Sequence, residues 1–260
     1  MEGSQLDTER AKRGGFLKLD EGFTEQVVGS EVARGKIELV LAIPMLVRGG
    51  LHAATFHSVW TMRHNLPPKD RMMTILPMDR PTASARSDAF QIAREVDADA
   101  LLFIDSDMEF QPDLYDRLNA ITADITCGLF WTKRIPSYPT ICVKDKKSDG
   151  TDALAPILPS GGIMNVDACG MAATLIRRSV LQSDRFAYPA FKHPAVIGED
   201  YLFCLHARDA GFSIKCDTSI RVAHRGDVAF NGQPILTHPD LKTLSHPFGE
   251  VGDGSRLNTV

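Results

Sequence analysis

Asp105 and Asp107 stand one residue apart where the apolar run Ala100-Leu101-Leu102-Phe103-Ile104 ends, and the chain is organised around them. Two ionised carboxylates so close repel each other, so the pair is costly unless a cation or a proton sits between them. A divalent metal site is the simplest chemistry that uses them. The plainer alternative is that Asp105 ends a strand and Asp107 opens a turn. An unbroken apolar run of this length fits a strand buried on both faces. Its carboxylates then lie at the carboxyl edge of a sheet, where open α/β sheets bind ligands.

Three further groups could take part. Glu199 and Asp200 follow Gly198 at the start of a helix with apolar Tyr201, Leu202 and Leu205, closed by Ala210-Gly211. Acidic residues complement the positive helix end and glycine suits the C′ position, so this pair can be read as helix-start residues alone. His224 ends a later strand beside Arg225-Gly226-Asp227, where a single histidine is ordinarily a hydrogen-bonded surface residue. Arg86 falls in the first turn of the helix that feeds the Ala100 run, where a guanidinium either holds a phosphate or stands solvated.

The elements that must position these groups alternate. Residues 37–44 read as a strand stopped by Pro44, followed by the Gly49-Gly50 turn and a helix over 52–63. That loop lacks the Gly-x-Gly-x-x-Gly and Gly-Lys-Ser spacings, so neither a dinucleotide fold nor a P-loop is supported. Residues 72–76 read as a second strand and 77–81 as a loop. Ser84 is the expected N-cap of a helix to Val96, with Ala85, Ala89, Ile92 and Val96 on one face. Pro112 opens a helix with Leu114, Leu118 and Ile121, and a strand follows over 125–130. The Pro-rich residues 134–139 end it, and 144–150 read as a charged turn. This order implies a mostly parallel sheet over the first half. The second half has shorter runs: strands over 164–168, 169–176, 212–215 and 219–224. Gly170 permits either close approach of a ligand to the backbone or tight packing on a neighbouring strand.

Composition removes other classes. With 29 basic and 33 acidic residues the net charge is -4, which gives no bulk case for binding nucleic acid or an anionic membrane. Five cysteines at wide spacings without a Cys-x-x-Cys pair point to a reducing, cytoplasmic compartment. No apolar stretch approaches the ~20 residues that span a bilayer, so no transmembrane segment is expected. The expected organisation is an N-terminal arm over 1–35, poorly ordered or packed on the domain, and a catalytic domain over 36–230. Within that domain 36–130 form a nucleotide-binding half and 131–230 an acceptor-binding half. A C-terminal tail covers 231–260.

Asp105-Ser106-Asp107 after an apolar strand, Gly198-Glu199-Asp200 opening a helix that ends in Ala210-Gly211-Phe212, and His224 shortly after together resemble the metal-dependent glycosyltransferases of the A-type fold. The likeness is to the family 2 enzymes and related sequences of bacteria and their phages, over residues 37–227. It implies a single Rossmann-like α/β domain with a central, mostly parallel mixed sheet flanked by helices. It implies transfer of a hexose from a nucleoside-diphosphate sugar, UDP- or GDP-linked, to an acceptor hydroxyl, with Mn²⁺ or Mg²⁺ bound by Asp105, Asp107 and His224. Pro44, Met45, Asp79, Arg86, Asp105 and Ser106 then contact the nucleotide. Trp131, Asp167, Cys169, Gly170 and Glu199 line the sugar and acceptor side. Asp200 is the general base and Glu199 supports it. The acceptor is a glycan, a small molecule or a modified DNA base, with Phe130, Trp131 and Arg134 as a platform and Lys133, Arg134, Lys144, Lys146 and Lys147 as a basic strip. The oligomeric state is not implied. A sugar-phosphate nucleotidyltransferase and a non-catalytic nucleotide-sugar or carbohydrate-binding module are the competing readings.

Overall fold

A computed structural model describes residues 17–20, 23–25, 27–28, 36–45, 50–68, 71–78, 80–133, 136–146, 152–192, 197–226, 245–246 and 249–250. The first strands are β1 (Leu17–Asp20), β2 (Phe23–Glu25), β3 (Val27–Val28) and β4 (Leu39–Ala42), followed by α1 (Ala53–Met62), β5 (Met72–Ile75) and α2 (Thr82–Glu95). Next come β6 (Ala100–Ile104), β7 (Met108–Glu109), α3 (Leu114–Ala120), β8 (Ile125–Leu129), β9 (Ile141–Lys146) and β10 (Asp152–Pro156). The chain continues through β11 (Ile163–Asn165), β12 (Ala168–Cys169), β13 (Ala173–Arg177), α4 (Arg178–Leu181), α5 (Glu199–Asp209), β14 (Ile214–Arg221) and β15 (Ala223–His224). β16 (Ser245–His246) and β17 (Gly249–Glu250) pair with each other, as β1 does with β2.

The central sheet has eight strands in the order β11-β14-β8-β13-β6-β4-β5-β3. β5, β4 and β6 are parallel neighbours, and β14 runs parallel to β8. β13 lies antiparallel between β6 and β8, so β6 and β8 point the same way without touching. The fold is therefore the expected α/β one, with a mixed, mostly parallel sheet flanked by helices. The first half does not form a continuous parallel block, because a strand from residues 173–177 is inserted into it.

Every residue of β4, β6 and β8 is buried, which explains the continuous apolar runs of β4 and β6; in β8 the buried Thr126 hydroxyl donates to the Leu118 carbonyl. The alternation of a strand divides them between two cores. Val40, Leu101 and Phe103 face one, with Phe90 of α2 and Phe203 of α5. Leu39, Leu41, Leu102 and Ile104 face the other, with Met62 of α1 and Leu114 and Leu118 of α3. In the first core Phe191 and Phe203 stack at 4.3 Å, and Phe90 meets Phe186, Phe191 and Phe203 at 5.7, 6.5 and 5.8 Å. Each such ring hides ~150–250 Å² of surface, a gross gain of about 4 kcal/mol or more. This aromatic block fixes α2 against α5, and with them the charged groups at their amino ends.

Several local readings change, among them the expected strands over 164–168 and 169–176, which are divided among β11, β12 and β13. α2 begins at Thr82 after Pro81, so Arg86 lies in its second turn rather than the first, and Ser84 is not the cap. β9 and β10 form an antiparallel hairpin, so that 144–146 of the expected charged turn are strand while 147–150 lie outside the described residues; β9 alternates half-buried and exposed residues along Val143, Lys144, Asp145 and Lys146. The expected strands over 212–215 and 219–224 are largely one, β14. It passes through polar Asp217, Thr218 and Ser219 because Arg117 and Ser219 satisfy the Asp217 carboxylate.

Candidate active site

The parallel strands end at one edge of the sheet. Beyond β4 the chain reaches Pro44 and Met45, and Met45 bridges to Met78 beyond β5. Beyond β6 come Asp105, Ser106 and Asp107, and beyond β8 come Phe130 and Trp131. β13 runs the opposite way and so starts at this edge, where the Asp105 N–H donates to the Ala172 carbonyl at 3.1 Å. β7 pairs with β15 in a register that sets His224 opposite Met108, and the Arg225 N–H donates to the Asp107 carbonyl at 2.7 Å. A two-residue strand thus delivers His224 to Asp107.

Arg86 is the hub of the acidic groups. Its side chain is 4% exposed; Nη2 donates to both oxygens of Asp105 at 2.8 and 3.0 Å, and Nη1 to Glu199 Oε1 at 2.6 Å. Burial works against its charge, but Asp105, Asp200 and Glu199 outweigh that and hold the guanidinium firmly protonated. Asp200 is the opposite case. Burial pushes its carboxyl up and Glu199 adds to this, while Arg86 opposes both; the result is about 7. A carboxyl at that value is half-ionised near neutrality, as a general base should be. Gly198 makes room for it, since a Cβ there would lie 2.4 Å from Asp200 Oδ1.

Asp107 is held differently. Its Oδ1 lies 3.3 Å from His224 Nε2, and its Oδ2 is ion-paired with Lys133 Nζ. Burial opposes ionisation here too, yet the hydrogen bonds from His224 and Lys133 prevail and hold the carboxyl at about 2. The other ring nitrogen of His224, Nδ1, is 3.1 Å from the Trp131 carbonyl. Donation to that carbonyl orients the ring and turns Nε2 toward Asp107.

The site can therefore be tested for a divalent cation. Ligands next to each other around a cation with ~2.1 Å bonds lie about 3 Å apart, close to the Asp107–His224 spacing. Asp105 is set apart from that pair, because both its oxygens are engaged by the buried Arg86, whereas Asp107 is engaged by His224 itself and by Lys133, which is a third exposed. Among the described residues no three His, Cys, Asp or Glu side chains gather closely enough to hold a metal ion. The residues fit a two-donor site, Asp107 and His224, completed by substrate oxygens and water, and not a cage of three protein ligands.

Two cavities meet at these groups. One of about 570 Å³ is lined by Pro44, Met45, His52, Arg80, Ser106 and Asp107, together with Arg225. The other, about 370 Å³, is lined by Arg86, Phe130, Tyr138, Met171, Asp200 and Tyr201. Asp105, Lys133 and His224 line both. No family model matches this chain and no curated protein matches it. Among solved structures it is similar to A197 from STIV, with 20% identity and a TM-score of 0.53 over 75% of this chain and 91% of that one. The likeness is one of fold. HddC from Yersinia pseudotuberculosis also aligns, at 8% identity over 71% of this chain and 92% of that one, but its TM-score of 0.34 carries no argument.

The remaining expected residues separate. Pro44, Met45 and Ser106 line the larger cavity; Asp79 lies outside the described residues. Trp131, Asp167, Cys169, Gly170 and Glu199 line neither cavity. Trp131 is 6% exposed and serves through its carbonyl, so it is no platform, and Phe130 is equally buried. Asp167 accepts from the Lys144 N–H and from Arg208 Nε. Cys169 is buried with its Sγ 3.9 Å from that of Cys204. Gly170 packs against Phe130, whose Cζ would be 2.5 Å from an added Cβ. Of the expected basic strip, Lys133 pairs with Asp107 and Lys144 with Asp209 at 2.9 Å, while Arg134 and Lys147 lie outside the described residues. Arg80 was missed: it lines the larger cavity from a buried position, ion-paired with Asp88, which also accepts from Tyr188. A loop arginine near a helix start carries no signal of burial, and only the distant Asp88–Tyr188 contact gives it one.

Proposed function

We propose that this chain is a glycosyltransferase that moves a hexose from a nucleoside-diphosphate sugar to an acceptor hydroxyl, with Mn²⁺ or Mg²⁺ held by Asp107 and His224. The observation that carries the reading is the meeting of two unlike cavities at Asp105, Lys133 and His224. The larger one offers Arg80, Lys133 and Arg225 beside Asp107, which suits a diphosphate. The smaller one offers Phe130, Tyr138 and Tyr201 walls around Asp200, which suits a hydroxylated acceptor. When bound, the cation supplies Lewis-acid stabilisation of the departing nucleoside diphosphate.

The chain's own residues do the rest. Asp200, ionised near neutral pH, takes the proton of the acceptor hydroxyl at its free carboxylate oxygen, while its Oδ1 accepts from the Tyr201 N–H at 2.8 Å. Arg86 holds Asp105 and Glu199 in place by ion pairs. His224 is oriented by Trp131, and Asp107 by its backbone bond to Arg225. A base on the acceptor side serves direct displacement, which inverts the anomeric carbon. The test is a thermal-shift series with UDP and GDP, each with and without Mn²⁺. The reading expects stabilisation by one of them that depends on Mn²⁺, about 2.7 kcal/mol at 100 times its dissociation constant. No stabilisation by either, with or without the cation, defeats it.

A further inference from the structure

Lys133 suits a diphosphate by its place in the larger cavity, but the reaction as described gives its ion pair with Asp107 no part. Its ammonium is ion-paired with Asp107 Oδ2, on the carboxylate whose other oxygen meets His224. It is about a third exposed and lines both cavities. Its backbone is tied to the same cluster, because Trp131, two residues earlier, holds His224, and the Thr132 N–H donates to the Tyr138 carbonyl at 2.9 Å. We propose that Lys133 is the resident cation of Asp107 and passes from Asp107 to the donor's diphosphate when a divalent cation arrives, so that the two ligands bind cooperatively. This inference rests on the glycosyltransferase reading and deepens it.

A divalent cation and an ammonium on one carboxylate repel each other at short range, so one displaces the other. A lysine is suited to leave, since its charge sits at the end of a flexible four-carbon stem. The other cations of the larger cavity are less free to follow a phosphate. Arg80 is buried against Asp88, and Arg225 is ion-paired with Glu109. Lys133 therefore has both a reason to move and a partner to move to, because the diphosphate brings negative charge to the cavity that it already lines. Without the diphosphate the incoming cation must displace Lys133 with no compensating contact, and without the cation Lys133 stays on Asp107. Each ligand then raises the affinity for the other by the same factor.

The test measures binding and needs no turnover. Mn²⁺ alone is titrated into the wild type, Lys133→Gln, Lys133→Arg and Arg225→Gln, reading the electron paramagnetic resonance signal of free Mn²⁺. UDP and GDP are then titrated with and without Mn²⁺ by calorimetry. The expected result is that Lys133→Gln binds Mn²⁺ alone roughly two- to fivefold more tightly, the size of a partly exposed ion pair. It should also bind the diphosphate in the presence of Mn²⁺ about tenfold or more weakly. Lys133→Arg stays near the wild type in both. Unchanged Mn²⁺ affinity in Lys133→Gln overturns the proposal, as does an equal gain in Arg225→Gln or in Lys133→Arg. A wild type that binds neither diphosphate overturns the glycosyltransferase reading and this one with it, whereas wild-type binding that Lys133→Gln leaves unaltered overturns this one alone.

Discussion

Arg86→Met replaces the hub of the site with an uncharged side chain of similar reach. It leaves Asp105 and Glu199, whose side chains are only 27% and 16% exposed, without their shared cation. Removing one partner of a buried pair costs ~3–5 kcal/mol, and the residual exposure of the two carboxylates places this case near the lower end, about 3 kcal/mol. For a chain of this size that lowers Tm by roughly 6–12 °C. The loss must also depend on pH. Arg86 is the charge that lowers the Asp200 pKa, so the variant's Asp200 titrates above about 7. A raised carboxyl pKa adds stability that is present below the ordinary carboxylate range and is lost as pH rises through the folded value. The deficit relative to wild type is therefore larger at pH 8 than at pH 5. Melting curves at the two pH values measure it. A variant that melts with the wild type at pH 8, or whose deficit is the same at both, refutes the account of Arg86 as the counter-charge of three carboxylates.

Two further outcomes follow from the surroundings of Asp200. Burial and Glu199 raise its pKa to about 7, and the base must be ionised to act, so kcat/KM should climb with pH through that value. In Glu199→Gln one raising charge is gone, and the acid limb of the pH–rate profile moves to lower pH; a limb that stays put or moves up contradicts this. Gly198→Ala places a methyl where Asp200 Oδ1 now sits, 2.4 Å from the new Cβ. The helix start tolerates alanine at its φ of -64°, so the carboxylate shifts while the fold stays. A displacement of this kind costs about 100-fold in kcat with little change in the donor's KM, as steady-state kinetics would show.

Much of the scaffold was legible in the sequence because single elements announced themselves. The Ala100 to Ile104 run is buried throughout, and Asp105 and Asp107 do stand at its carboxyl end. The helix after Gly198 runs from Glu199 to Asp209, and Gly211 follows it with a φ of +93°, a conformation that glycine adopts without penalty. His224 lies 3.3 Å from Asp107, a contact that only the family resemblance suggested and that no local pattern of residues gives. What stayed hidden depends on contacts between distant parts of the chain. Arg86 and Glu199 are separated by 113 positions, and nothing local says that they meet. Trp131 reads as a surface platform, but its backbone bridges to Pro139 and the residue is buried. β14 reads as two strands because its polar centre is satisfied by Arg117 of α3. Lys133, one charge among several in a basic stretch, acquires meaning only from the carboxylate that it faces.

Asp105 is a poor residue on which to test the chemistry, since its loss also strips Arg86 of a partner. Asp107 is a better one: its carboxylate is a third exposed, and its partners Lys133 and His224 keep contact with water. The measurement that bears most directly on the account is release of nucleoside diphosphate from UDP- and GDP-linked hexoses by wild type and Asp107→Asn, each with Mn²⁺ or EDTA. The account predicts Mn²⁺-dependent release by the wild type and a loss of about 100-fold or more in the variant, at a melting temperature lowered by no more than a few degrees through the lost Lys133 and His224 contacts. Equal release by Asp107→Asn in EDTA and by the wild type in Mn²⁺ would contradict it.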